Sequence, residues 1–185
     1  MPDGGVGTSN RGSYQPAFRK HRGRTEPTQE LEAVKPETRP TIAIVLLTWN
    51  QRELALACLH SLREMRYPAA RLTVIVVDNG SRDGTAEAIQ TQFPEVVLLE
   101  NKENLGFAEG NNVGLRYALR ESPDYVMLLN NDTVVDPDLL DALLFVVEAD
   151  ETVGIVGPKM LYYDAPDVIW NAGNMIDWRI GEIER

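Results

Sequence analysis

The chain has 185 residues, of which 43% are hydrophobic and 25% are charged, and this composition suits one globular domain with a sizeable core. Its net charge is −10, and the acidity is uneven: residues 1–40 carry 7 basic and 5 acidic side chains, whereas residues 41–185 carry 11 and 23. A body this acidic argues against nucleic acid as a partner, because binding to phosphates requires clustered Lys and Arg. No apolar run exceeds six residues, whereas a membrane-spanning helix needs about 20, so the sequence predicts no transmembrane segment.

The cysteine count and the N-terminal composition bear on location and domain organisation. A single cysteine excludes an intrachain disulfide and favours a reducing, cytoplasmic compartment. Residues 1–40 are rich in Gly and Pro and poor in apolar clusters, which predicts a disordered tail. A basic cluster at 19–24 is interpreted as a solvating feature, although it is also compatible with contact with nucleic acid or with peripheral contact with acidic lipid at the inner membrane face. Residues 41–185 are the predicted folded domain.

The first half of this domain alternates strands with helices. Residues 42–47 form a continuous aliphatic run, which is typical of a strand buried on both faces. A helical apolar pattern follows at 51–66 and ends before Pro68. The next predicted elements are a strand at 72–77, a helix at 85–93 and a strand at 96–99.

The second half continues the same alternation. A predicted helix at 108–121 leads into an apolar strand at 125–129. Asp136 and Pro137 then open a helix through residue 147, with an N-cap acid and a proline at the first helical position. A fifth strand is predicted at 153–156. This succession predicts an α/β fold, a mostly parallel sheet flanked by helices on both faces.

Polar and glycine-rich residues gather where the predicted strands end. In an open α/β sheet, ligands bind beyond the carboxyl ends of the strands. The four segments that follow strands here are 48–50, 78–85, 101–114 and 130–133. They are expected along one edge of the sheet, where together they can line a single cleft.

Several of these residues have two competing interpretations. Asp78 directly follows a buried strand, where a carboxylate can accept hydrogen bonds from a nucleotide or form an Asx turn. The ligand role is favoured for Asp78 and the capping role for Asp83. Gly106, Gly110 and Gly114 recur every four residues, a spacing that serves either close approach of a ligand or close packing of a helix on a sheet.

A candidate metal site follows the strand at 125–129. Asn130, Asn131 and Asp132 end that strand, and Asp132 is the single carboxylate of the three. Mg²⁺ or Mn²⁺ held by one carboxylate and by substrate phosphates fits such a site. The ion would let an acidic protein hold a diphosphate without a lysine-rich loop. A turn ahead of Asp136 is the competing interpretation.

Taken together, the segments 44–50, 77–85, 104–114 and 128–133 resemble the inverting family 2 glycosyltransferases with the GT-A fold, especially the bacterial rhamnosyltransferase-like branch. They occur in the family's order within residues 41–160. The resemblance implies a nucleotide-diphosphate sugar donor and a glycan or lipid-linked acceptor. It also implies a role in cell-wall or polysaccharide biosynthesis.

The resemblance assigns roles to single residues. The implied nucleotide-sugar ligands are Thr48, Asn50, Asp78, Asn104, Gly106, Asn130 and Asn131. Asp132 would hold Mg²⁺ or Mn²⁺ and the diphosphate, because it stands at the end of the family's Asp-x-Asp motif. Asn130 replaces the first acid of that motif, so the dependence on metal stays open.

The C-terminal part departs from the family. The family's catalytic base is a carboxylate well beyond the Asp-x-Asp motif, yet 53 residues follow Asp132 here, and Asp164, Asp167 and Asp177 do not match its pattern. No base is assigned, and the chain is expected to be the donor-binding part of a truncated transferase domain. Two alternatives are a non-catalytic nucleotide-sugar-binding module and a sugar-nucleotide nucleotidyltransferase. The second is disfavoured because 48–52 contains no glycine.

Overall fold

A computed structural model of the protein describes residues 38–173, together with the backbone of 175–177 and 182–184. The predicted disordered tail, residues 1–40, lies outside the described residues except for its last three positions. Within those three, the guanidinium of Arg39 donates to the carboxylate of Asp141 at 2.6 Å, and the carbonyl of Pro40 accepts from the hydroxyl of Tyr67 at 2.6 Å. The end of this segment is therefore joined to the folded domain.

Four parallel strands form the central sheet, in the order β3-β2-β1-β4. The strands are β1 (Ile42–Thr48), β2 (Leu72–Asp78), β3 (Val97–Glu100) and β4 (Tyr125–Asn130). Ile44, Val45 and Leu46 of the central strand β1 are fully buried, which explains why this segment is aliphatic on both faces.

Helices cover both faces of the sheet. They are α1 (Arg52–Arg63), α2 (Thr85–Gln92), α3 (Gly106–Arg120) and α4 (Leu139–Val147), with a short 3₁₀ helix at Ala69–Arg71. Alternate residues of β1 face opposite ways, as the period of a strand requires. Ile44 shares a core with residues of α1, α2 and α4, whereas Val45 shares a second core with residues of α3. The predicted fold class is confirmed.

Two of the regularly spaced glycines serve helix packing. A Cβ at Gly110 would lie 2.6 Å from Leu47 Cδ1, and a Cβ at Gly114 would lie 2.3 Å from Val45 Cγ1. Helix α3 therefore approaches β1 at a distance that excludes any side chain at these positions. Gly106 differs, because its φ is +79° and a Cβ there would meet no atom within 4 Å. Of the two interpretations of this spacing, packing holds for Gly110 and Gly114.

The strand predicted at 153–156 is wrong. These residues have no regular secondary structure, and Ile155 is 94% exposed. Their apolar composition finds no sheet partner, because Gly154 within the segment and Gly157 after it weaken a strand, and Pro158 cannot donate to one. The structure instead has two short antiparallel pairs further on: β5 (Met160–Leu161) with β6 (Ile169–Asn171), and β7 (Met175–Asp177) with β8 (Glu182–Glu184).

The start of α4 also differs from the prediction. The helix begins at Leu139, and Asp138 stands at its N-cap position. Asp136 Oδ1 accepts a hydrogen bond from the backbone N–H of Asp138 at 2.8 Å. The predicted capping acid therefore closes a turn just ahead of the helix, a shift of the size by which helix boundaries commonly vary. Within the described part of the chain, no helix is long and apolar enough to cross a membrane.

We expect Gly114→Ala to lower the free energy of unfolding by about 1–3 kcal/mol, because the new methyl group would overlap Val45, which is fully buried and cannot move aside freely. Urea denaturation followed by circular dichroism measures the change. Gly154→Ala is the matched control, since a Cβ there meets nothing within 4 Å. Equal stability of the two variants would contradict this account of α3 packing.

Candidate functional site

The parallel register brings the carboxyl ends of the four strands to one level. Thr48 at the end of β1 pairs with Asp78 at the end of β2, and Asp78 pairs with Glu100 of β3. On the other side of β1, Leu47 pairs with Asn130 of β4. An open cleft of about 360 Å³ lies at this edge of the sheet. Its lining residues are Leu47, Thr48, Trp49, Gln51, Asn79, Asn104, Gly106, Phe107, Asn130, Asn131 and Asp132.

Six of the eight predicted site residues line this cleft. They are Thr48, Asn104, Gly106, Asn130, Asn131 and Asp132. The other two, Asn50 and Asp78, are outside the set of lining residues, and Asp78 is 98% buried, with a relative exposure of 2%. The structure therefore brings residues of all four polar segments together around one cavity, with Asn79 as the lining residue of 78–85, while Asn50 and Asp78 stand outside its lining.

Asn50 and Asp78 are joined through Ser81. The hydroxyl of Ser81 accepts a hydrogen bond from the backbone N–H of Asn50 at 2.9 Å and donates to the carboxylate of Asp78. The backbone N–H of Ser81 donates to the same carboxylate at 3.1 Å. Asn50 has a φ of +50°, and its side-chain oxygen accepts from the N–H of Arg82 at 2.8 Å. Asp78 thus closes a turn through the N–H three residues on, which differs from the two-residue bond of the Asx turn that was one of its two interpretations, and its ligand role stays a prediction.

Asp83 has the capping role that the sequence favours. Its carboxylate accepts from the N–H and the hydroxyl of Thr85, at the start of α2, and from the N–H of Arg52, at the start of α1. Burial by itself would raise the pKa of Asp83, but these hydrogen bonds outweigh it and hold the pKa below its ordinary value. One carboxylate therefore fixes the first turns of two helices beside the site.

The β1 and β4 sides of the cleft are joined by a side-chain network. Asn131 is buried, and its Nδ2 donates to Thr48 Oγ1 at 3.1 Å and to Gln51 Oε1 at 2.9 Å. Asn130 and Asp132, on either side of it, are exposed. Asn131 therefore braces the segment, and its two neighbours are the residues free to meet a ligand.

The donor set in the cleft fits a divalent cation that is bound together with an anionic ligand. Asp132 is the one ionisable side chain among the residues that line it, and Asn130 adds an amide oxygen. Across residues 38–173, no group of three or more His, Cys, Asp or Glu side chains is placed to hold a metal. Mg²⁺ characteristically takes one or two carboxylates and completes its shell with waters and substrate phosphates. Asp132 is therefore sufficient only if the ligand supplies the remaining oxygens.

Sequence reasoning missed five lining residues, one of which is the aliphatic Leu47. Trp49 and Phe107 are aromatic side chains with relative exposures of 49% and 68%, while Gln51 and Asn79 contribute amides. Each stands next to a predicted residue, so position along the chain was an available signal. The exposure of the two aromatic rings at the cleft was not, because it depends on how the loops fold.

A buried thiol lies beneath the β4 side of the site. Cys58 on α1 is fully buried, with its Sγ 3.8 Å from the carbonyl oxygen of Asn130 and 4.0 Å from Thr133 Oγ1. Burial raises the pKa of this thiol to about 11, and the negative charge of Asp132 adds to the effect. Cys58 is thus a core residue that supports the segment ending in Asp132.

The family of the protein follows from comparison with known proteins. Residues 43–185 match the model of glycosyl transferase family 2, and the chain belongs to this family. Glycosyltransferase AglE of Haloferax volcanii is 31% identical over 81 residues, which cover 42% of this chain and 27% of AglE. Poly-beta-1,6-N-acetyl-D-glucosamine synthase of Staphylococcus aureus is 32% identical over 99 residues, which cover 52% of this chain and 23% of the synthase. The chain spans about a quarter of the length of these curated relatives.

Solved structures agree with this assignment. The mannosyltransferase PcManGT from Pyrobaculum calidifontis, in complex with GDP-Man and Mn²⁺, is 31% identical with a TM-score of 0.57, over 64% of this chain and 35% of that protein. TarS 1–349 of S. aureus, in complex with UDP-GlcNAc, is 18% identical with a TM-score of 0.54, over 66% of this chain and 38% of TarS, and shows the fold alone. The predicted family and the predicted GT-A type of fold are confirmed.

We expect Cys58 to resist alkylation by iodoacetamide at pH 8 in the folded protein. With a pKa of about 11, its thiolate fraction at this pH is on the order of 100-fold lower than that of an unperturbed thiol. Because the chain has one cysteine, mass spectrometry of the labelled protein reports this site directly. Labelling should become fast in denaturing urea, and equally fast labelling of the native protein would show that the thiol is accessible.

Proposed function

We propose that this chain forms the donor-binding part of a glycosyltransferase that moves a sugar from a nucleotide-diphosphate sugar to an acceptor hydroxyl with inversion. The cleft at the carboxyl ends of β1, β2 and β4 carries the proposal, because six of the predicted ligands line it. Ligands of α/β proteins bind at this edge of the sheet. Membership of the family supports the chemistry, and the complex of PcManGT with GDP-Man supports the class of donor.

The proposed roles follow the positions of the residues. Asn104 and Gly106 shape the nucleotide and sugar pocket, and Thr48 borders the nucleotide beside them in the lining of the cleft. Asp78 contacts base or ribose in this proposal, and Asn50 holds the adjoining turn through its bonds to Ser81 and Arg82. For Asp78, contact with a ligand would need its carboxylate to share or exchange its bonds to Ser81.

Asp132 is proposed to hold Mg²⁺ or Mn²⁺, with Asn130 beside it and the diphosphate oxygens completing the coordination. The ion would supply positive charge that offsets the charge of the diphosphate and of a leaving nucleotide. In a chain with 23 acidic and 11 basic residues over 41–185, such neutralisation favours binding. The Mn²⁺ in the PcManGT complex supports this choice of ion.

Inversion requires a single displacement at the anomeric carbon. An acceptor hydroxyl attacks from the face opposite the diphosphate while a base removes its proton, and the transition state resembles an oxocarbenium ion. No base is assigned to a residue of this chain. The acceptor is proposed to be a glycan or a lipid-linked sugar, within the rhamnosyltransferase-like branch, and a cytoplasmic location rests on the cysteine content alone.

A non-catalytic nucleotide-sugar-binding module is the second candidate function. The lining of the cleft favours this candidate. Asp132 is the one lining carboxylate, and because it is proposed to hold the metal, no second carboxylate of the lining is left to act as a base. Binding data do not separate this candidate from the enzyme, but measurement of sugar transfer does.

We expect Asp132→Asn to lose most of the metal-dependent part of nucleotide affinity. Calorimetric titration with UDP and GDP, each in Mn²⁺ and in chelator, measures it for the wild-type and variant chains. Wild-type binding in Mn²⁺ at a hundredfold excess over Kd should also stabilise the fold by about 2.7 kcal/mol in a thermal scan. Asparagine serves turns about as well as aspartate, so the variant should fold normally.

Two further variants serve as comparisons for Asp132→Asn. Asp78→Asn should weaken nucleotide binding with and without metal, because its proposed contact is to base or ribose. Asp136→Asn removes a nearby charge outside the cleft and keeps an acceptor for the N–H of Asp138, so it should bind as the wild type does. Equal metal-dependent affinity in the wild type and Asp132→Asn would refute the metal role.

We expect the 185-residue chain to bind a donor but to transfer no sugar, because no base is assigned to it. Incubation with radiolabelled UDP-GlcNAc or GDP-Man and a set of acceptors, followed by chromatography, measures transfer. Slow hydrolysis of the donor is compatible with this expectation, since water can enter an open cleft. Robust transfer would show that a base lies within the chain.

A further inference from the structure

Asn79 is a buried residue of the cleft whose side chain is fully occupied by hydrogen bonds within the protein. It follows β2 and has a relative exposure of 2%. Its Nδ2 donates to Asn104 Oδ1 at 2.8 Å and to the carbonyl of Gly106 at 3.2 Å. Its Oδ1 accepts from Asn101 Nδ2 at 3.0 Å and from the N–H of Leu105 at 3.0 Å. A side-chain amide offers two donors and two lone pairs, so no capacity remains for a ligand.

These bonds determine how the amide of Asn104 is oriented. Asn104 Oδ1 accepts from Asn79 Nδ2 and also from the N–H of Gly106, each at 2.8 Å. Both donors converge on the oxygen, so the nitrogen cannot occupy that position. Asn104 is exposed and lines the cleft, and its Nδ2 has no hydrogen-bond partner in the described part of the chain. The amide therefore keeps an unused donor at the cleft.

We propose that Asn79 is a positioning residue of the donor site, which fixes Asn104 so that its Nδ2 donates a hydrogen bond to an oxygen of the nucleotide-diphosphate sugar. This inference rests on the proposed function. A nucleoside diphosphate is rich in acceptor oxygens, so a fixed N–H donor at the cleft matches it. If the amide of Asn104 were flipped, its Oδ1 would face the ligand instead, and two acceptor oxygens would repel each other. Asn79 acts through Asn104 and does not touch the ligand.

Two glycines show that the structure accommodates Asn79 closely. A Cβ at Gly110 would lie 3.2 Å from Asn79 Nδ2, so α3 leaves just enough room for the amide. Gly80, with a φ of +80°, packs against the backbone of Glu103, and a Cβ there would lie 2.9 Å from its Cα. The segment that carries Asn104 is thus also held by backbone packing. Loss of the Asn79 amide should therefore loosen the side chain of Asn104 and leave the segment in place.

The test uses Asn79→Ala, Asn104→Ala and the double variant of the 185-residue chain, with UDP and GDP in Mn²⁺ as the probes. Each single variant should bind the nucleotide that the wild type prefers roughly tenfold more weakly, the effect of one hydrogen bond. The double variant should bind no more weakly than Asn104→Ala alone, because Asn79 is proposed to influence the ligand through Asn104. Its bonds to Asn101, Leu105 and Gly106 brace a segment that backbone packing also holds. Losses that multiply would overturn the proposal.

Stability has to be separated from affinity. Asn111→Ala is the control, because Asn111 is a buried asparagine of α3 that donates to the carbonyl of Phe107 at 2.9 Å and does not line the cleft. It should lower the midpoint of urea denaturation while its affinity stays within about twofold of wild type. If Asn79→Ala does not fold, Asn79→Ser replaces it, since its neutral hydroxyl can still meet one of the four partners.

The side-chain amide resonances of Asn104 supply a direct readout. In ¹⁵N-labelled wild-type protein they should shift when nucleotide is added, and in Asn79→Ala that shift should shrink while the backbone spectrum stays native. If the wild type binds nucleotide and Asn79→Ala binds it with the same affinity, the positioning role alone would be overturned. A wild-type chain that binds neither nucleotide in Mn²⁺ would overturn the proposed function, and this inference with it.

Discussion

The parallel pairing of β1 with strands on both of its sides is the constraint on which the site depends. β1 lies between β2 and β4, and its central residues have no solvent exposure. A strand buried in this way has a fixed register, because a slip by one residue would exchange its two faces. The register places Thr48, Asp78 and Asn130 at one edge, and the cleft is the space that their segments leave between them. Gly110 and Gly114 preserve this arrangement by letting α3 rest directly on β1.

The site is braced mainly by side-chain amides. Asn79 holds Asn104, and Asn131 joins Thr48 to Gln51. An amide donates and accepts without carrying charge, so it can link loops in a strongly acidic chain without adding repulsion. This separates the side chains that build the walls from Asp132, the charged group proposed to face the ligand.

The family places this architecture in a chemical context, and the cleft limits what the chain does within it. Family membership covers residues 43–185, while the matched curated relatives are about four times the length of the aligned segments. Donor binding is the part of the reaction that we propose for this chain, because the cleft lies at the strand ends, where α/β proteins bind their ligands. The choice of sugar, the acceptor and the base belong to contacts that this cleft does not define.

The sequence by itself determined the four-stranded parallel core, its helices and the segments at the strand ends, because aliphatic runs and helical periodicity are local signals that tertiary contacts reinforce. It failed at 153–156, where composition favours a strand but no partner strand exists. It left the glycines undecided, since the same spacing suits packing or binding, and it favoured a ligand role for Asp78. Tertiary structure decided the glycines, since α3 packs on β1 through Gly110 and Gly114, whereas the bonds of Ser81 to the Asp78 carboxylate leave the ligand role of Asp78 a prediction. Such outcomes depend on which residues of other elements the fold brings into contact with each position, and the local sequence pattern does not indicate those contacts.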